Sequence, residues 1–455
     1  RALPPLSDQE QRLWELTVEA NSRGVALDTL SLGPAIAAAE AAEATLAERF
    51  EALTGVRPSQ VAKAAAALGV KSLAKAEVRR QLRRPDLEPK VREALEARRS
   101  FAKSSVKKLR AMQDRVEGDG RLRGALAYCG AERTGRWSSW GVQLQNMPRG
   151  LGEGTEEAFE ILSFHGLEVL YLDPLKTVSD MLKGFLVGPF LVGDFAQVEA
   201  RVLAWLAGQG DLLRAFAAGD DIYCEMAGAI YGHRVGKEDR DAALGIAKRQ
   251  LGKVAVLGCG YGLGPEKLRT QLDENFDVVA SAEVCERTVY AYRRRYPRIP
   301  KLWRLLEDGF SHVIVARPAK SVQVGPVRMG YRELYGRPFA YIQLPSSRAL
   351  WYFDPREGPA YFGRNIYAGG RWEQVPTYGG KLAENVTQAV SRDLLAEAML
   401  RLDAAGFEVA FTVHDEVVAE GGDLAKFKRL LVEAPAWAAG LPISADAFET
   451  RRYRK

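Results

Sequence analysis

The chain has 455 residues and is 47% hydrophobic, enough for a large core, and at about 100–200 residues per domain it divides into two to four subdomains. No run of about 18 apolar residues is present, which excludes a membrane-spanning helix, and no basic–apolar–small pattern marks a signal peptide. The net charge of +6 is concentrated: between Arg57 and Arg123 stand 19 Lys and Arg against 8 Asp and Glu, which suits either a polyanion partner or a set of solvated basic helices.

Residues 8–50 are rich in Ala, Glu and Leu with helical periodicity, and are expected to break at Gly24 and to stop at Leu32-Gly33-Pro34. The basic stretch 57–117 reads as short helices punctuated by Pro58, Pro85 and Pro89. From Arg121 the texture turns to strand and loop, and Gly150, Gly152 and Gly154 suggest a flexible connection. Phe190–Phe195 reads as a short buried strand, followed by a helix with Val198, Val202, Leu203 and Leu206 on one face. Residues 221–310 are mainly helical. Residues 318–378 alternate around Gly and Pro as hairpins do. A helix covers 381–403. Phe407, Val409, Phe411 and Val413 then alternate into His414-Asp415-Glu416, and Val417-Val418 resumes a strand, so the hairpin tip carries two carboxylates.

Four cysteines (Cys129, Cys224, Cys259, Cys285) form no CxxC pair, so a zinc site is not expected and all four read as ordinary buried residues of a reducing interior. His165, His233 and His312 make no metal-ligand pattern. The chain opens on Arg1 rather than Met, as a piece of a longer product does.

Asp194 ends an apolar strand and Asp415 sits at a hairpin tip, 221 residues later. Alone, each reads as a turn or helix-cap residue. Phosphoryl transfer, however, needs hard oxygen ligands on a rigid frame for two cations about 3.5–4 Å apart. Arg249, Lys253 and Leu257 are spaced i, i+4, i+8, along one side of a helix, and two cations one turn apart can grip a triphosphate. An exposed basic helix face is the plainer reading of the same spacing.

The surrounding residues are specific. Asp194-Phe195-Ala196-Gln197-Val198-Glu199-Ala200-Arg201 resembles motif A of family A DNA polymerases, and Val413-His414-Asp415-Glu416 resembles their motif C. Arg249-xxx-Lys253 followed by Tyr261-Gly262 resembles motif B. Arg133-Thr134-Gly135-Arg136-Trp137-Ser138-Ser139, then Leu144-Gln145-Asn146-Met147-Pro148, resembles the segment upstream of motif A. The four lie in the family's order and span residues 130–416. Gly258–Gly264, Tyr292–Trp303, Leu344–Arg348 and Tyr378-Gly379-Gly380 look closer to the phage-encoded branch than to bacterial repair enzymes.

The resemblance implies an α+β fold: a right hand with an antiparallel-sheet palm, helical fingers and a helical thumb. Residues 1–39 would be an N-terminal helical segment, 40–120 the thumb, 121–210 the first part of the palm with motif A, 211–344 the fingers with motif B, and 345–455 the second part of the palm with motif C. It implies a template-directed DNA polymerase, a nucleotidyltransferase that adds deoxynucleotides to a primer 3′-hydroxyl. The length ahead of the thumb leaves no room for a 3′→5′ exonuclease, so the chain is not expected to proofread. Asp194 and Asp415 would hold two Mg²⁺ ions, with Mn²⁺ able to substitute. Lys253 and Glu416 would join them in catalysis. Arg249 and Lys253 would bind the phosphates of the dNTP, and Tyr261 would sit by the templating base. Gln197, Leu257 and His414 would also face the nucleotide, and Glu199 would exclude a 2′-hydroxyl.

Arg133, Arg136, Gln145, Asn146 and Gln388 would contact primer–template DNA in the minor groove, whose acceptors are nearly sequence-independent. The helix around Gln388 has Leu382, Val386, Val390 and Leu394 on its apolar side. Partners would be primer–template DNA and dNTPs. No membrane is implied; a monomer in the host cytoplasm or nucleoid is, and such an enzyme admits accessory replication proteins. One departure stands out: the family usually has Phe or Tyr where this chain has Leu257, so poor dideoxynucleotide use is expected.

Three other readings compete. Lys253–Gly260 looks like a first Rossmann strand, with Asp277 at a suitable distance, but Leu263 occupies the third glycine position, which weakens a dinucleotide-dependent oxidoreductase. A non-catalytic nucleic-acid-binding module would leave Asp194, Asp415 and Lys253 unemployed. A single-subunit RNA polymerase is disfavoured, by resemblance, by Glu199 and by Glu416 after His-Asp.

Overall fold

A computed structural model describes residues 6–101, 106–148, 150–164, 173–365 and 369–454; His165 lies outside them. The frame is a six-stranded antiparallel sheet. Its central strand, Leu186–Phe195, pairs with Glu416–Glu420 on one side and with Ala445–Arg452 on the other. At its start it also pairs with the short strand Val25–Leu27, which in turn pairs with Arg121-Leu122. Glu408–Val413 completes the sheet as the hairpin partner of Glu416–Glu420. Both faces are covered, so the strand reads as a continuous apolar run rather than an alternating one. Phe190, Val192, Phe411, Val418 and Tyr453 pack to one side with the N-terminal helices. Leu191, Phe195, Val417 and Ala419 pack to the other, with the helices that follow residue 197.

The long helix Gly379–Ala404 crosses that second side. Val198–Ala207 and Arg298–Ala316 pack against it, and Ile222–Tyr231 and Lys248–Cys259 pack against each other within the same core. A second sheet of four strands spans Val322–Phe353, and the hairpin Ala360–Asn365/Arg371–Pro376 adjoins it. The basic stretch forms four short helices; the first three fold with the end of Thr29–Thr54 around a small core of their own that includes Phe50, Leu73, Val78 and Leu95, and the fourth, Val106–Gln113, joins the core on the first side of the sheet. Among the described residues no helix is long and apolar enough to cross a membrane.

Several expectations need correction. The segment 1–39 is not only helical, because Val25–Leu27 belongs to the central sheet. Gly33-Pro34 does not stop a helix: Thr29–Thr54 runs through it. Pro34 lies near the helix start, and Leu30, whose carbonyl loses its partner, is 89% exposed to solvent that can replace it. The division expected at residue 344 runs through the four-stranded sheet, whose third and fourth strands, Arg337–Gln343 and Ala349–Phe353, pair across it. Only Cys259 and Cys285 are buried; Cys129 and Cys224 are half-buried, and all four are free thiols. Lys253–Cys259 is helical, with no Rossmann strand there.

One buried ionic network joins the parts. Arg392, on the long helix, donates through Nη1 (2.5 Å) and Nη2 (2.8 Å) to the two carboxylate oxygens of Glu10 in the helix Asp8–Arg23, and through Nε to the Gly135 carbonyl (3.0 Å). Asp393 accepts from Arg348 (2.7 Å), whose Nη2 also donates to the Thr134 carbonyl (2.9 Å). Burial opposes ionisation of Glu10, but Arg392 outweighs it and its pKa is lowered. Its contribution to stability is therefore present above the ordinary carboxylate range and lost as pH falls through the lowered value. Glu10→Ala, which strips a buried cation of its main partner, is expected to cost about 3–5 kcal/mol in urea unfolding at neutral pH. The difference from the parent should shrink on acidification; an unchanged midpoint at neutral pH would refute the assignment.

Candidate active site

The strand pairing brings the acidic residues of the two motifs together. Asp194 lies directly across from Glu416, and Val413 across from Glu416 on the other side, which leaves His414-Asp415 as a two-residue turn. The Phe195 amide donates to the Asp415 carbonyl (3.2 Å), tying the turn to the end of the central strand. His414 takes the left-handed conformation (φ +57°) that such a turn requires at its first position. Its Nε2 lies 3.0 Å from the Gln145 carbonyl, and Gln145 Nε2 donates to the Thr412 carbonyl (3.3 Å). The upstream segment thus braces the tip. Asp415 is half-buried at the cleft, whereas Glu416 is wholly buried and accepts from the Tyr453 hydroxyl.

Asp446 lies across from Asp194 on the opposite neighbouring strand, a third acidic residue in the row that no motif announced. Even so, among the described residues no three His, Cys, Asp or Glu side chains gather closely enough to hold a metal by themselves. Two carboxylates on adjacent strands still fit Mg²⁺, which is commonly held by one or two carboxylates with substrate phosphates and water completing the shell.

Arg249, Lys253 and Leu257 share one side of the helix Lys248–Cys259. Arg249 Nε donates to Asp221 (2.7 Å), and its guanidinium lies 5.0 Å from the centre of the Tyr223 ring, with Lys253 Nζ 5.9 Å from the same ring. Asp221 also accepts from the amides of Tyr223 and Cys224, capping the helix Ile222–Tyr231. Burial works against its charge, but the Arg249 and amide hydrogen bonds outweigh that and lower its pKa. Sequence reasoning missed Asp221; an Asp one residue before a helical run is the only local signal. Gly252 lets the two helices touch, since a Cβ there would sit 2.1 Å from the Tyr223 carbonyl.

Glu199 stands in the first turn of the helix Val198–Ala207. Arg136 donates to its Oε1 (3.2 Å) and the Tyr261 hydroxyl to its Oε2 (3.2 Å), so three of the four motifs meet at this carboxylate. Burial raises its pKa, and the charge of Arg136 and the Tyr261 hydrogen bond offset this only in part. Arg136, Gln197, Glu199, Leu257, His414 and Asp415 line one cleft of about 290 Å³, to which the long helix adds Ser391, Arg392 and Leu395. Gln388 is half-buried on the same helix, and Asn146 is exposed beside Gln143 (3.4 Å). Arg133, expected at the DNA, is half-buried and makes contacts within the fold. Its Nη1 donates to the Trp351 carbonyl (2.6 Å), and its guanidinium lies 4.3 Å from the centre of the Tyr361 ring and 4.8 Å from that of Tyr352.

Known proteins give the same picture. The model of the family described as DNA polymerase family A matches residues 68–312. The chain is 34% identical to a DNA polymerase of Bacillus phage SP02, over 98% of its own length and 71% of that protein. It is 27% identical to the thermostable DNA polymerase I of Thermus filiformis, over 64% of its length and 27% of that longer protein. In fold it is similar to the POL domain of Pol1 from M. smegmatis, solved in complex with DNA primer–template and dNTP; the TM-score is 0.67 at 16% identity, covering 98% of this chain and 70% of that one. With the order of its motifs, the pairing of Asp194 against Glu416 and these similarities together, the chain belongs to DNA polymerase family A.

Proposed function

We propose that the cleft between the central sheet and the helix Lys248–Cys259 is where this template-directed DNA polymerase joins a deoxynucleotide to a primer 3′-hydroxyl. The observation that carries this is the in-register pairing of Asp194 with Glu416, beside the His414-Asp415 turn, with Asp415 and Leu257 lining one cleft. Asp194 and Asp415 are the residues that would hold Mg²⁺. When bound, two such ions favour the ionised 3′-hydroxyl and neutralise charge on the α-phosphate and the departing pyrophosphate. Arg249 and Lys253 would take the triphosphate, Arg249 exchanging Asp221 for phosphate oxygens. Buried Glu416 would hold the turn that aims Asp415. Arg136, Gln145, Asn146 and Gln388 would follow the minor groove, where Arg, Asn and Gln can sense pairing without reading sequence. The helices of the basic stretch would serve as the thumb on duplex phosphates, with strong salt dependence.

Glu199, held by Arg136 and Tyr261, would close the space beside the sugar against a 2′-hydroxyl. Leu257, 44% exposed on the nucleotide side of its helix, offers neither a ring to stack nor a hydroxyl.

Four variants test these assignments. Asp415→Ala should reduce Mg²⁺-dependent primer extension by several orders of magnitude with unfolding unchanged; retained extension would overturn the mechanism. Glu199→Ala should raise ribonucleotide incorporation. Glu199→Gln should raise Tm at neutral pH, because a carboxyl whose folded pKa is raised loses stability as pH rises through that value, and the gain should vanish below the ordinary carboxylate range. Equal Tm values across that window would remove the burial argument. Leu257→Tyr should increase dideoxynucleotide use in direct competition with deoxynucleotides; a parent chain that already accepts both equally would sink this role for Leu257.

A further inference from the structure

Beyond the residues the family model matches, the four-stranded sheet turns one side to the core and the other outward. Met329, Ala340, Ile342, Leu350 and Tyr352 are buried on the inner side. Strand register puts Arg332, Phe339 and Phe353 in one outer row, and Gly330, Tyr341 and Trp351 in the next. The rings form an unbroken series. Tyr341 and Trp351 have centroids 5.1 Å apart, Trp351 and Phe339 6.1 Å, and Phe339 and Phe353 5.3 Å. Phe353 meets Phe362 of the adjoining hairpin at 6.4 Å, and Phe362 stacks on Trp372 at 5.9 Å with planes 13° apart. Three of the six stay in water: Trp372 is 57% exposed, Trp351 39% and Phe362 37%.

The charges on this face are of one sign. Arg328, Arg332, Arg337 and Arg364 share it, and register places no Asp or Glu on it in any of these strands. Arg332 lies 5.6 Å from the centre of the Tyr341 ring, and Glu132 approaches Arg364 from outside at 3.8 Å. Rings offered to solvent between arginines match the two parts of an unpaired nucleotide strand: bases that stack on any π-face, and phosphodiesters that need cations. Duplex DNA hides its base faces and could use only the arginines.

We propose that this aromatic face is a binding site for single-stranded DNA, with bases stacking on Trp351, Phe362 and Trp372 and phosphates held by Arg328 and Arg332. A template-directed polymerase always has such a strand at hand, in the part of the template not yet copied. The proposal rests on that activity for its occupant but not on the assignments in the cleft.

The test is fluorescence anisotropy of a labelled oligodeoxythymidylate with the full chain, without Mg²⁺ or nucleotide, so that binding is read separately from extension. The double variant Trp351→Ala/Trp372→Ala should weaken single-strand binding by about tenfold or more, and Arg328→Gln/Arg332→Gln should weaken it and flatten its salt dependence. Trp351→Phe/Trp372→Phe should keep most of the affinity. Affinity for blunt duplex should stay at the parent's level in the two tryptophan variants, and extension on a template with a short overhang should do so in all three. Unchanged single-strand affinity in the alanine variant would overturn the proposal, leaving the face to a protein partner. Equal losses for duplex and single strand in the alanine variant would overturn it too, because stacking on the rings would then not be what is lost. Absence of primer extension in the parent would instead count against the cleft.

Discussion

Everything at the cleft depends on the register of two strands. Asp194 can stand beside the His414-Asp415 turn only if Leu186–Phe195 pairs with Glu416–Glu420 as it does, because a slip of one residue turns every side chain to the opposite face. Packing on both faces enforces this pairing. Phe190 and Val192 are buried on one side, Leu191 and Phe195 on the other. Between them Gly193 lies so close to Leu431 and Phe427 that a Cβ would come within 2.5 and 2.7 Å of them. A slipped strand would drive Val192 or Asp194 into that space. The apolar run is thus what aims the carboxylate.

The strands fix the carboxylates, but the walls of the cleft come from distant parts of the chain, and there the ionic network on the long helix takes over. Arg392 is 1% exposed at its side chain and reaches Glu10 and the Gly135 carbonyl, while Asp393 holds Arg348, which reaches the Thr134 carbonyl. The turn before Arg136 is therefore gripped from two sides. Buried ion pairs often add little stability over well-packed apolar groups, since both charges lose their water. What this one supplies is placement. Arg136 must stand where it meets Glu199, and Glu199 must meet Tyr261, for three separate motifs to form one wall.

The sequence was most legible where chemistry and local pattern coincide. The strand into Asp194, the hairpin into Asp415 and the helix bearing Arg249, Lys253 and Leu257 all lie where periodicity and motif place them. Features resting on long-range pairing were not legible. Val25–Leu27 is too short to show alternation between two long helices, and becomes a strand only because Ala26 and Leu27 find Val187 and Leu186. Asp446 reads as an ordinary polar residue until pairing sets it across from Asp194. Arg133 sits inside a motif, yet its place is decided by Tyr352 and Tyr361, more than 200 residues away. The same holds for the outer aromatic face, whose rings alternate with buried residues along each strand and become a series only when two strands and a hairpin align.

Asp221 changes how the cationic helix should be understood. Arg249 does not wait as a bare charge; it already donates to a carboxylate that caps a neighbouring helix and is kept ionised by its hydrogen bonds. Binding a triphosphate there, as proposed, would be an exchange of one anion for another. A single weak anion gains little by displacing Asp221, whereas a polyphosphate offers more charge and several oxygens for the guanidinium fork. Lys253, one turn on and beside the same tyrosine ring, adds a second cation to the exchange. On the proposed assignment, discrimination in favour of a triphosphate would begin in the resting protein, in the competition Asp221 sets up, and the close packing that Gly252 permits between the two helices is what keeps Asp221 and Arg249 within reach of each other.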